Sequence, residues 1–307
     1  MNLLITGCKG QLGTEIQKQL KVGYSEIGTI PESLQNAEIE AIDIDTLDLS
    51  DRDAVMTYVS TVKPDVIINS AAYTNVDGCE TNQDLAYKAN TLGPENLAIA
   101  AEANNAKLIH ISTDYVFDGM DNGGIPRTET DLPNPISVYG YTKLKGEEAV
   151  QNNCKKYFIV RTAWLYSYYG KNFVKTIVNA AKKYGKLEVV NDQKGNPTNA
   201  ADLAHMLLQL AVTEQYGLYH CTGEGICSWY EFASEIVQEA GIQATVEPCT
   251  TAEYKQKHPE SADRPAWSAL SNQKLQDILG VSMRNWREAL NCIFQHWDGE
   301  NGMKESL

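Results

Sequence analysis

The sequence predicts an α/β fold, a doubly wound parallel sheet of the Rossmann type with a smaller mixed α/β substrate domain. Three observations predict it. Short apolar runs alternate with amphipathic stretches over the first 165 residues, the pattern of strands covered on both faces by crossover helices. A glycine turn, GCKGQLG, follows the first run directly and opens the first helical stretch. The chain has 307 residues, 43% hydrophobic and 21% charged, enough to bury a sizeable core and to make about two domains of roughly 150 residues.

Strands are expected at 2–5, 39–42, 66–69, 107–112 and 157–161, with helices between them at 11–20 and 95–104. Past Tyr166 the texture changes. Residues 172–184 read as helical, and 200–213 (AADLAHMLLQLAVT) carry an apolar stripe that packs back on the sheet. Residues 217–221 make one more strand. The expected division is therefore a dinucleotide-binding domain over 1–165, with about 199–221 returning to it, and a substrate-binding domain from 166–198 and 222–307.

Composition excludes several classes of function. With 26 basic and 40 acidic residues the net charge is −14, so generic binding to nucleic acid or an anionic membrane is not expected. No apolar run approaches the ~20 residues that cross a bilayer. The opening MNLLITG lacks a basic n-region and a long apolar h-region. Seven cysteines at irregular spacing, with no C-x-x-C pair, read as reduced thiols in a cytoplasmic protein. Asp118, Glu147 and Asp192 show no ligand spacing, and no metal is expected.

Gly7, Gly10 and Gly13 sit between a strand and a helix. A tight turn there needs residues without Cβ, and a helix N-terminus offers free N–H groups to a pyrophosphate. An acid closing the second strand binds the adenosine ribose in such folds. Asp43 is the candidate, with Asp48 and Leu49 behind it, although it lies thirty residues past Gly13 where about 20 is usual. Residues 21–38 have to hold the extra length as loop. A carboxylate at that position favours NADH, while Lys9 and Arg52 could offset it, so NADH and NADPH both stay open.

Tyr139 and Lys143 stand at i and i+4 in YGYTKLKGEEAV, one helical turn apart on one face. A free tyrosine has a pKa near 10, too high for proton exchange at neutral pH, and an adjacent ammonium stabilises its phenolate. Ser112, Thr113 and Asp114 close the run LIHIS at the carboxyl edge of the sheet, where open α/β sheets bind ligands. Thr113 is placed to bond a substrate oxygen alongside Tyr139.

Together these residues resemble the extended short-chain dehydrogenase/reductase superfamily. The strings NSAAYTNVDGCE, ISTDYVFDG, RTAWLY, GKNFVKT, VVNDQKGNPT and RPAWSAL resemble, within it, the dTDP-4-dehydrorhamnose reductases. The resemblance covers nearly the whole chain. It implies hydride transfer from NADPH or NADH to C4 of dTDP-4-dehydro-L-rhamnose, in the synthesis of deoxysugars for cell-surface polysaccharide. It implies catalytic roles for Thr113, Tyr139 and Lys143. Gly7, Gly10, Gln11, Leu12, Gly13, Asp43, Asp48, Leu49, Ala71, Ala72 and Tyr73 would hold the cofactor with Tyr139 and Lys143. Thr113, Asp114, Trp164, Asn172 and Arg264 would hold the nucleotide sugar, and a homodimer is the expected assembly.

Two rivals share the fold. A sugar-nucleotide epimerase or dehydratase is one, although Tyr115 stands where dehydratases carry a second acid after the threonine. A non-catalytic subunit resembling the regulatory subunit of methionine adenosyltransferase is the other.

Overall fold

The structure, a computed structural model, describes residues 1–300, 302 and 303. Its central strands are β1 (Asn2–Thr6), β2 (Glu38–Ile42), β3 (Val66–Asn69), β4 (Lys107–Thr113) and β5 (Tyr157–Thr162). Further on come β6 (Lys186–Val190), β7 (Gly217–His220) and β8 (Thr245–Cys249). Six of these form one parallel sheet in the order β7-β5-β4-β3-β1-β2. Strand order reverses between β1 and β3, so the crevice that receives ligands opens there, at the carboxyl ends.

Alternation along each strand sends side chains to opposite faces. Leu3, Ile5, Val66, Ile68, Ile109, Phe158 and Val160 pack with α1 (Gln11–Val22) and a helix that spans Ala200–Ala211. Leu4, Ile67, Leu108 and Ile159 face the other way. They meet α2 (Arg52–Val62), α3 (Gly93–Ala103) and α4 (Val138–Asn153). Continuing along the chain, α5 is Phe173–Tyr184, α6 is the Ala200–Ala211 helix, α7 is Trp229–Glu239 and α8 is Trp286–His296. The apolar stripe of α6 lies against the sheet, and β7 pairs with β5.

A separate apolar cluster joins α5, α7 and α8 through Val174, Ile177, Phe232, Ile236, Trp286 and Leu290. Here β6 and β8 pair in parallel outside the main sheet. The extra length before Asp43 is not plain loop. Tyr24–Ser25 pairs with Gly28–Thr29 as a short hairpin, and Ile30 and Leu34 beyond it are buried against the α1 face. All seven cysteines are free. No helix among the described residues is long and apolar enough to cross a membrane.

Candidate active site

The glycine turn is built by contact as well as by conformation. Gly7 has φ +69°, and a Cβ on it would lie 2.6 Å from the Ala71 nitrogen. A Cβ on Gly13 would lie 2.3 Å from the Gly7 carbonyl oxygen. Only glycine lets the turn nest against the β3 end and lets α1 start so close to it. Gly10 caps α1 with no side chain over the first N–H groups. Beside it lies a cavity of about 560 Å³ lined by Gly7, Gly10, Asp43, Asp48, Leu49, Ala71, Ala72 and Tyr73. Gln11, Leu12 and Gly13 form the first turn of α1 behind that wall. An open helix N-terminus over a cradle that a Cβ would fill fits the pyrophosphate of a dinucleotide.

Asp43 ends β2 with its carboxylate fixed. It accepts N–H bonds from Lys9 (3.0 Å) and Ile44 (2.8 Å). Lys9 reaches Asp45 at 2.6 Å, an exposed pair. The Ser50 N–H and hydroxyl both donate to Asp48 and hold its carboxyl below the usual range.

Thr113 ends β4, and Tyr139 and Lys143 project from the first turns of α4. The Ser137 hydroxyl caps α4, accepting from the Gly140 N–H, and Glu80 accepts the N–H of Val138. Burial pushes the Tyr139 phenol well above its ordinary range, the Thr113 hydroxyl opposes the shift, and Asp114 adds to it. Lys143 is 2% exposed and donates to the Ile111 carbonyl at 2.6 Å. Burial brings its ammonium down to about 8, against the pull of Glu147.

Asp114 is 1% exposed, and its carboxyl is pushed up to about 7 by burial, opposed by the Ser268 and Thr113 hydroxyls. One of its oxygens, Oδ2, has no hydrogen-bond partner. Tyr115 meets Tyr139 edge-on at 5.4 Å, and the nearby Arg264 guanidinium opposes the upward push of burial on its phenol. Arg264 is therefore near the tyrosine pair, but its Nη2 is taken by Asp77 at 3.0 and 3.2 Å. Asn172 caps α5, and its amide also donates to the Ser167 carbonyl at 2.8 Å. Both ends of that side chain are engaged within its own segment. Trp164 stacks on Trp229 and borders Gly195.

Three features escaped the sequence reading. Asn90, in a π-helical turn over Lys88–Leu92, clasps Tyr73 by accepting its N–H (2.8 Å) and donating to its carbonyl (3.1 Å). Its amide also reaches the Thr142 hydroxyl on α4 at 3.2 Å. An asparagine amid helical residues was the only signal. Beneath Lys143, Glu147 takes two bonds from Arg161 at 2.8 and 2.6 Å and one from Ser112 at 2.5 Å. Leu85 and Lys88 line the cofactor cavity from a segment that carries no motif.

Comparison with known proteins finds relatives over nearly the whole chain. The dTDP-4-dehydrorhamnose reductase of Aggregatibacter actinomycetemcomitans is 40% identical over 301 residues, 95% of this chain and 97% of its own. A solved dTDP-4-dehydrorhamnose reductase from Clostridium acetobutylicum superposes with a TM-score of 0.87 at 46% identity, over 96% of this chain and 99% of its own. The Bacillus anthracis reductase, solved in complex with NADP, gives 0.87 at 38% identity over 96% and 98%. The family model described as the RmlD substrate binding domain matches residues 1–298, and the chain belongs to that family.

Proposed function

We propose that the protein reduces the C4 keto group of dTDP-4-dehydro-L-rhamnose to give dTDP-L-rhamnose, with NADPH or NADH, in deoxysugar and cell-surface polysaccharide synthesis. The observation that carries the reading is the grouping of Thr113, at the end of β4, with Tyr139 and the buried Lys143 on the first turns of α4, the Thr113 hydroxyl easing ionisation of the Tyr139 phenol, at the sheet edge beside the glycine-turn cavity. The names of the relatives support the substrate, and the NADP held by the Bacillus anthracis protein supports the cofactor.

When bound, the reduced dinucleotide supplies the hydride. Tyr139 gives its phenolic proton to the oxygen on C4, and Thr113 steadies that oxygen with its hydroxyl. Lys143 stabilises the phenolate left behind and would hold a ribose hydroxyl of the bound dinucleotide. Burial alone makes the Tyr139 phenol a poor acid, so the neighbouring ammonium is what brings proton transfer into range at neutral pH. The glycine turn, Gln11, Leu12, Asp43, Asp48, Leu49 and 71–73 hold the dinucleotide in this reading. Asp114, Trp164, Asn172 and Arg264 flank the nucleotide sugar.

The separate cluster of α5, α7 and α8 supports a substrate-binding part distinct from the dinucleotide-binding part. A cytoplasmic setting follows from the cofactor pool, and a homodimer from the prevalence of twofold assemblies; sedimentation would test the latter.

The test is nicotinamide absorbance on mixing the protein with NADPH or NADH and dTDP-4-dehydro-L-rhamnose. A stoichiometric fall with dTDP-L-rhamnose as product supports the reading, and the two rates rank the cofactors. Cofactor binding with no fall in absorbance overturns it.

A further inference from the structure

Trp164 holds a backbone conformation that bulky residues avoid. Its φ is +47°, in the left-handed region where Cβ crowds the chain. Such outliers persist only where the surroundings over-determine them, and they gather at ligand sites. Two features outside its own motif fix it here. Its indole lies flat on Trp229, ring centroids 3.4 Å apart and planes at 7°. Trp229 is in turn backed by Phe173 at 4.5 Å, and it starts α7 behind a capping box formed by Ser228 and Glu231.

The second feature is Gly195, in the NDQKGNPT segment. Its backbone is not left-handed, so conformation does not demand glycine. Space does. A Cβ there would lie 2.8 Å from Trp164 Cε2, 2.9 Å from Nε1 and 2.7 Å from the Ser268 hydroxyl oxygen. Gly195 is thus a notch through which the indole edge passes. Trp164 lies two residues past Thr162, the last residue of β5, which pairs with Thr113 at the end of β4. Trp164 therefore leaves the carboxyl edge of the sheet on the strand next to the one that ends in Thr113.

We infer that Trp229 and Gly195 are positioning residues for the sugar: Trp229 by stacking, and Gly195 by leaving the notch, fix Trp164 as a preset apolar wall against the 6-deoxyhexose ring. The inference rests on the function proposed above. A 6-deoxy sugar presents a methyl and C–H edges where other hexoses carry a hydroxymethyl group, which suits a flat indole. A wall already in place removes the ordering cost from binding. The effect falls on sugar affinity and leaves proton transfer alone.

The test is steady-state kinetics of Trp229→Leu, Gly195→Ala and Trp229→Phe, varying nucleotide sugar and NADPH separately. Trp229→Leu and Gly195→Ala should each raise KM for the sugar about three- to tenfold, the worth of an aromatic pair. KM for NADPH and the pH profile of kcat should stay as in the parent. Trp229→Phe keeps an aromatic face and should recover sugar KM to within about twofold of the parent. Parental sugar KM in both Trp229→Leu and Gly195→Ala, with the parent active, overturns the inference and leaves the function standing. A matching rise in both KM values also overturns it, since that marks a general loss of structure. If Trp229→Leu does not fold, Gly195→Ala decides. A parent that never oxidises NADPH with the nucleotide sugar fails the functional reading instead.

Discussion

Replacing Asp114 by asparagine should shift stability in the variant's favour as pH rises from about 4 to about 7 and hold that gain at alkaline pH. Asp114 is 1% exposed, and burial carries its carboxyl from 3.8 to about 7. Between those values the folded protein retains a proton that the unfolded chain has released. Stability therefore falls as pH rises from about 4 to about 7 and is level above that. A shift of about three units at 1.36 kcal/mol each gives a ceiling of about 4 kcal/mol. Asparagine does not titrate, so the variant lacks this slope. It does place an amide where Oδ2 now has no partner, a cost of about 1–3 kcal/mol that is independent of pH. Glu15 and Asp202 are also raised, to about 7 and about 6, but both are present in parent and variant and cancel in the difference. The assay is urea unfolding of the two proteins at pH 4.5, 6 and 8. The stability difference should move in favour of Asp114→Asn by about 2–4 kcal/mol across that range. An offset that is the same at all three pH values refutes a buried, proton-holding carboxyl.

The remaining expectations concern the groups around Asp114. Tyr139→Phe should cut kcat by roughly 10²–10⁴ while NADPH titration gives an unchanged affinity; a near-parental rate removes Tyr139 from the acid role. Lys143, brought down to about 8, loses its proton as pH rises through that value, so kcat/KM should fall there, and a profile flat to pH 9.5 contradicts its charged role. Glu147→Gln strands the Arg161 guanidinium, 2% exposed, and should cost about 3–5 kcal/mol in urea unfolding. Removing both partners, as Glu147→Gln with Arg161→Met, should cost well under the sum of the two single changes; additive costs would show that the pair is not coupled.

The central strands were legible because each apolar run is short and flanked by turn residues, and burial on both faces leaves a near-continuous apolar signature in 66–69 and 157–161. The glycine turn was legible because its spacing encodes one local backbone shape. The order of strands was not, since β1 pairs with both β2 and β3 through contacts that no local pattern specifies. The hairpin at Tyr24–Thr29 escaped for a related reason: two-residue strands are too short to show alternation. Partners at long range were hidden altogether. Arg264 reads as a free guanidinium in RPAWSAL, yet its ion partner Asp77 lies 187 residues away. Trp229 reads as the apolar start of a helix until it is found under Trp164.

That pairing of distant charges explains how so acidic a chain can accept anionic ligands. Three cations near the site come with acids attached: Lys9 with Asp45, Arg264 with Asp77, and Arg161 with Glu147. The three pairs differ in what they permit. Arg161 and Glu147 are both 2% exposed, so separating them would leave a buried charge, and the pair can only be framework. Lys9 and Asp45 are 67% and 61% exposed, and Arg264 and Asp77 are 26% and 48% exposed. Pairs that solvent reaches are held less firmly than buried ones. The two loose pairs lie in the turn beside the cofactor cavity and next to the tyrosine pair. A cation so neutralised adds no strong positive field, and selectivity then rests on the fixed donors of the glycine turn rather than on long-range attraction.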